Sequence, residues 1–147
     1  MKLNNIEFQA ADFVSEMKKL KNEKHFDYLV TIVGEDFGEE GLGCIYILEN
    51  TESHERISVK AIAKQIGEEY VIPTTINSWK AADFLEREVY DFLGIKFLGH
   101  PDMRRLYLRN DFVGYPLRKN YDTAPEKNGY TLEDDIELNY TCQYSLD

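Results

Sequence analysis

From Glu86 to Leu108 the chain carries charge, aromatic rings and backbone punctuation more densely than anywhere else, and this stretch constrains the fold most. Asn77 or Ser78 is predicted to cap the first turn of a helix. Trp79, Ala82, Leu85, Val89 and Phe92 or Leu93 then recur at three- and four-residue steps, which makes one apolar stripe. On another face Asp83, Arg87 and Asp91 follow at four-residue steps as acid, base, acid. Such pairs stabilise a helix by only about 0.2–0.5 kcal/mol each, so helix stability alone is a weak reason for them. Gly94 is the expected C-cap, because it enters the left-handed region cheaply. Pro101 holds His100 extended, ends any helix there and turns the chain into Arg104 and Arg105.

The remaining pattern predicts an α+β two-layer sandwich, with helices packed on a mixed, mainly antiparallel sheet. Ala10 to Lys21 reads as an amphipathic helix with Ala10, Phe13, Val14, Met17 and Leu20 on one side. Phe26 to Val33 reads as a strand and Gly34 to Gly43 as a glycine- and acid-rich turn. Gly43 to Glu49 is apolar enough for a central strand. Arg56 to Ala61 alternates, with Ile57, Val59 and Ala61 on one face. The loops between these strands are too short for crossover helices, so antiparallel wiring is expected. Tyr70 to Pro73 is a further short strand, and more short strands are expected after the helix that follows it.

The 147 residues suit one domain, with residues 1–120 as its body and 121–147 as an acidic tail. The net charge of −10 argues against nucleic acid as a partner, because phosphate binding needs clustered Lys and Arg. Its distribution is uneven: residues 121–147 hold seven acids and one Lys, whereas 102–119 hold five bases and two acids. The tail also carries Tyr130, Leu132, Ile136, Leu138, Tyr140 and Tyr144, more apolar side chains than a solvated tail needs, so ordering on a neighbouring subunit is expected, with disorder in the isolated chain as the alternative. Met1 to Asn5 is too polar for a signal peptide. No apolar run approaches the roughly 20 residues of a membrane span, so the isolated chain is expected to be soluble. Cys44 and Cys142 make no paired motif, and no disulfide framework or iron–sulfur site within this chain is expected.

Several residues invite a catalytic reading. Glu86 and Glu88 stand two positions apart, about 200° around a helix, so they cannot flank one substrate. One carboxylate paired with an Arg and the other facing solvent or a partner is the expected arrangement. His25, His54 and His100 lack metal-binding spacing, and His100 is expected to fix its turn by hydrogen bonds while Asp102 holds the arginines that follow. Arg104 and Arg105 are adjacent and point to opposite sides of an extended segment. One is expected inward, on Glu86, Glu88 or Asp91, and the other outward. Gly114 to Lys119 lacks phosphate-loop spacing and reads as a surface loop offering Tyr115, Arg118 and Lys119 to a partner. No catalytic, cofactor-binding or metal-binding residue is assigned.

The run Glu86-Arg87-Glu88, Asp91, Gly94-Ile95, His100-Pro101-Asp102-Met103-Arg104-Arg105 and Gly114-Tyr115-Pro116-Leu117-Arg118-Lys119 resembles the signature of the 30-kDa subunit family of respiratory complex I, the C-type subunits of bacterial NADH:quinone oxidoreductases. The resemblance is strongest from Trp79 to Lys119. Tyr115 departs from it, standing where the family form has His. The resemblance implies a scaffold subunit of the peripheral arm without a cofactor of its own, FMN and iron–sulfur clusters being held by partner subunits. Its implied neighbours are the quinone-pocket subunit (49-kDa type) and the terminal-cluster subunit. The implied place is the cytoplasmic side of the inner membrane, attached through the complex. Glu86, Arg87, Glu88, Asp91, His100, Asp102, Arg104, Arg105, Tyr115, Arg118 and Lys119 are then expected to form the internal network and docking surface. The same scaffold could serve a membrane-bound hydrogenase or formate hydrogenlyase, the family includes fusions to the quinone-pocket subunit, and a stand-alone hydrolase is the remaining class.

Overall fold

The computed structural model describes residues 4–8 and 12–122. Ala10, Cys142 and the tail from Thr123 to Asp147 lie outside the described residues. The elements run β1 (Asn4–Phe8), α1 (Phe13–Asn22), β2 (Tyr28–Asp36), a short 3-10 turn (Gly38–Glu40), β3 (Leu42–Glu49), β4 (Arg56–Ile62), β5 (Lys64–Ile66), β6 (Glu69–Pro73), α2 (Ala82–Leu93) and β7 (Ile95–Leu98). They form an α+β fold with two sheets rather than one. In the larger, ordered β1-β4-β3-β2, strands β2, β3 and β4 are antiparallel neighbours and β1 joins β4 in parallel. In the smaller, ordered β5-β6-β7, the parallel pair β6 and β7 is connected through α2.

The register explains the layers. Ile32, Tyr46 and Val59 are cross-strand partners, as are Leu29, Leu48 and Ile57, so one face of the larger sheet is aliphatic and aromatic and fully withdrawn from water. Phe13, Met17 and Leu20 of α1 and Ala82, Val89 and Leu93 of α2 complete this core. Each large side chain buried this way contributes roughly 1.5–3 kcal/mol. Phe13 lies against Tyr46 with ring centroids 5.3 Å apart, and the Trp79 indole N–H donates to the Phe26 carbonyl at 3.2 Å.

The structure differs from the sequence reading in the limits of two elements and in two additional strands. β2 begins at Tyr28 and runs through Gly34 to Asp36, taking in residues expected to turn. Gly34 permits α2 to cross the sheet closely, since a Cβ there would stand 2.6 Å from Leu93 Cδ1. α2 starts at Ala82, because Ser78 and Trp79 donate their N–H groups to the Thr75 carbonyl in a preceding turn, so neither Asn77 nor Ser78 caps it. β1 and β5 were not anticipated. β1 is five residues long and mostly polar, and every residue of β5 is exposed, so neither carries a strong period-two apolar signal. Val14, placed on the buried stripe of the first helix, is 40% exposed.

Candidate functional site

The polar face of α2 and the loop 99–119 form one connected network. Glu86 sits on the buried side of α2 and is completely inaccessible. Its Oε1 accepts the Thr75 N–H at 2.7 Å and the Thr75 hydroxyl at 2.8 Å, and Oε2 accepts the Thr74 hydroxyl at 2.5 Å. Burial pushes this carboxyl above its usual range, against the opposing pull of the Thr74 and Thr75 hydrogen bonds. No arginine pairs with it, which corrects the expected Glu–Arg arrangement. The reason is the Thr74-Thr75 pair, which supplies neutral donors directly after β6.

Asp91, one turn further, is equally buried and meets the opposite fate. Its Oδ2 accepts three successive backbone N–H groups, from Leu106 at 3.0 Å, Tyr107 at 2.7 Å and Leu108 at 2.9 Å. Arg105 Nη1 donates to Oδ1 at 3.0 Å. Burial opposes ionisation, but the Leu108, Tyr107 and Leu106 amides and Arg105 outweigh it and hold the carboxyl below its usual range.

The loop also satisfies the end of α2, where the last carbonyls of a helix have no intrahelical donor. The Gly94 N–H bonds to the Tyr90 carbonyl at 2.8 Å, with Gly94 at φ +73° as the predicted left-handed cap. Arg105 Nη1 reaches the Asp91 carbonyl at 3.1 Å, the Leu117 N–H reaches Phe92 at 3.1 Å, and Arg118 Nε reaches Leu93 at 2.7 Å. Tyr115 lies over Gly94 so closely that a Cβ there would stand 2.4 Å from its ring. Arg105 and Arg118 lie 5.3 and 4.7 Å from the centre of that ring. Tyr115 and Arg118, which the sequence reading offered to a partner, thus also serve the interior of the loop and are half-buried.

The i, i+4 ladder of Asp83, Arg87 and Asp91 is not used within the helix. Arg87 Nε and Nη2 instead donate to the carbonyls of Arg104 and Arg105 at 3.2 and 3.4 Å. Asp83 meets His100, whose Nε2 lies 3.2 Å from the Asp83 carbonyl and 3.4 Å from its Oδ1. The Asp102 N–H donates to His100 Nδ1 at 3.1 Å, which leaves the ring proton on Nε2 and both nitrogens engaged. Arg105 is the inward arginine. Arg104 is the outward one, its side chain 81% exposed and forked onto Asp102, whose carboxyl it holds well below the usual range. Glu88 and Lys119 face outward as well, while the Lys119 N–H donates to Asp36 Oδ2 at 2.9 Å. Thr74, Thr75 and Phe112 belong to the network but went unread in the sequence, because nothing in their spacing marks them.

Among the described residues no group of three His, Cys, Asp or Glu side chains is placed to hold a metal ion, and no helix is long and apolar enough to cross a membrane. Cys44 is fully buried, and burial pushes its thiol up, so it is poorly suited to act as a nucleophile.

The model of the family "Respiratory-chain NADH dehydrogenase, 30 Kd subunit" matches residues 6–127. An NADH-quinone oxidoreductase C/D-type subunit of Phocaeicola vulgatus is 48% identical over 139 residues, 95% of this chain and 26% of that protein. An NADH-quinone oxidoreductase C-type subunit of Chloroherpeton thalassium is 40% identical over 120 residues, 81% of this chain and 48% of its own length. The chain thus spans about a quarter of the C/D-type relative and about half of the C-type one. Among solved structures, the trypsin-resistant fragment of Nqo5 superposes with a TM-score of 0.61 at 32% identity, over 67% of this chain and 80% of that one. A chain of the membrane-bound sulfane sulfur reductase, an archaeal respiratory membrane complex, superposes with a TM-score of 0.71 over 99% of this chain and 83% of that one, and at 24% identity shows the shared fold. With the family match spanning most of the chain, the chain belongs to the 30-kDa subunit family of respiratory-chain NADH dehydrogenase.

Proposed function

We propose that this chain is a cofactor-free scaffold subunit in the peripheral arm of an NADH:quinone oxidoreductase. In that assembly electrons pass from NADH through FMN and iron–sulfur clusters of partner subunits to quinone, coupled to cation translocation. The neighbours proposed are the quinone-pocket subunit and the subunit holding the terminal cluster, on the cytoplasmic side of the inner membrane. The acidic segment 121–147 is proposed to reach onto one of them.

One observation carries the reading beyond family membership. The side chains that a catalytic reading would need are engaged in structural bonds, most of which hold the loop 99–119 against α2. Glu86 is held by threonines, Asp91 by three amides and Arg105, His100 at both nitrogens, and Arg118 by a helix carbonyl. Glu88, Arg104 and Lys119 are left on the outside for docking.

Affinity purification of the tagged chain from its native membranes in mild detergent, with mass spectrometry and an NADH:quinone assay on the eluate, tests the proposal. The expected eluate contains the quinone-pocket and terminal-cluster subunits and oxidises NADH. Recovery of a nickel-binding subunit would move the scaffold to a hydrogenase-type assembly, and turnover by the chain alone would overturn the scaffold role.

A further inference from the structure

A groove with a volume of about 190 Å³ runs between β2 and α2. Thr31, Ile32, Val33 and Gly34 line one wall. Side chains alternate across a strand, so four consecutive residues can line one groove only where it follows the strand's edge and exposes backbone groups. β2 is indeed terminal in the order β1-β4-β3-β2, with a strand neighbour on one side only among the described residues. Glu88, Val89, Phe92 and Leu93 of α2 form the facing wall, and Leu117 completes the lining.

Natural edge strands are commonly blunted by Lys, Pro or a bulge. β2, reading Tyr-Leu-Val-Thr-Ile-Val-Gly-Glu-Asp, has neither Lys nor Pro. Its one irregularity falls between Leu29 and Thr31, ahead of the groove. Along the groove lie Val33 and Leu117, 47% and 61% exposed. The only charged side chain in the lining is Glu88, which is exposed and has no ion-pair partner among the described residues.

We infer that this groove receives an extended segment of a partner subunit, which adds a strand to the free edge of β2. Its side chains are apolar at alternate positions, and a Lys or Arg faces Glu88. Main-chain hydrogen bonds to β2 supply affinity, and the alternating side chains supply specificity. The base is required because covering Glu88 with apolar groups would strand a carboxylate away from water. The chain's own segment 121–147, with seven acids and one Lys, would bring like charge to that position and is a poor occupant. This inference rests on the subunit reading above and adds the surface and chemistry of one contact.

Hydrogen–deuterium exchange on the purified complex and on the isolated chain is the test, together with a photoreactive residue at Leu117 that identifies the neighbouring peptide. The amides among residues 31–34 that point away from β3 are expected to exchange at least tenfold more slowly in the complex. The cross-linked peptide should alternate apolar residues and contain a base. Glu88→Lys, with its urea midpoint unchanged, should lower recovery of the partner at least tenfold, whereas Glu52→Lys in an exposed turn should not. Unchanged exchange at β2 within an assembled complex would overturn the groove proposal while leaving the subunit reading intact. Failure to recover any partner would overturn both. Slow exchange of those outward-facing amides in the isolated chain would also overturn it, assigning the edge to a second copy where the protection depends on concentration and to the chain's own segment where it does not.

Discussion

Arg105 and Asp91 make the ion pair most withdrawn from solvent among the described residues, with Nη1 3.0 Å from Oδ1 and side chains 14% and 0% exposed. The pair joins the loop after β7 to the last turn of α2. Arg105 Nη2 extends the join to the Gly114 carbonyl at 2.9 Å and the Phe112 carbonyl at 3.3 Å. One guanidinium thereby fixes three stretches of chain.

Removing one partner of such a pair leaves the other charge uncompensated, so Asp91→Ala should cost about 3–5 kcal/mol in urea unfolding. Arg104→Ala, one residue from Arg105 but on the exposed pair with Asp102, should leave the midpoint unchanged. Equal midpoints for the two variants would show that burial does not separate the two arginines.

The two buried carboxylates should respond to pH with opposite signs. Asp91 is depressed, so its contribution is present above its unfolded value near 3.8 and is lost as pH falls through the folded one. Glu86 is raised, so its contribution is full below its unfolded value near 4.5 and is lost as pH rises through the folded one. The stability gap between the native protein and Glu86→Gln should therefore narrow as pH rises above the unfolded value near 4.5. Over the same interval the gap to Asp91→Asn should stay wide, closing only in stronger acid. Urea titrations at several pH values check both signs.

Gly94→Ala should destabilise by at least ~1–2 kcal/mol, the cost of the left-handed conformation for a residue with a Cβ. The collision with the Tyr115 ring adds to it. Tyr115→Ala in the same chain should recover only the steric part, so the double variant should stay less stable than Tyr115→Ala alone.

Gly34→Ala tests the crossing of α2 over β2. Its Cβ would meet Leu93 Cδ1 and Val89 Cγ1 at 2.6 and 2.8 Å, and overpacking of that kind costs about 1–3 kcal/mol. Leu93→Ala opens space at the same contact, so the two changes should cost less together than their sum.

Much of this arrangement was legible in the sequence because it is local. The α2 stripe, the Gly94 cap, the alternation of β4 and the opposite fates of Arg104 and Arg105 follow from periodicity and adjacency alone. What could not be read was long-range. Glu86 finds Thr74 and Thr75 only because β6 delivers them to the start of α2. Tyr115 turns inward only because Gly94 leaves a bare backbone beneath its ring. Gly34 looked like a turn residue, and its role as a helix crossing point depends on Val89 and Leu93, more than fifty positions away. The charge spacing of Asp83, Arg87 and Asp91 was a true signal with a different use, since each side chain serves the returning loop rather than its helical neighbour.

The scaffold account separates assembly from chemistry, and complementation of a strain lacking this chain tests that separation most directly. Assembled complex and NADH:quinone turnover would be measured side by side for Glu86→Gln, His100→Gln and Asp91→Ala. The account predicts that Asp91→Ala lowers assembled complex and activity in the same proportion, and that turnover per assembled complex is unchanged in all three. A variant that assembles to the native level yet loses turnover would contradict it and place a chemical step in this chain.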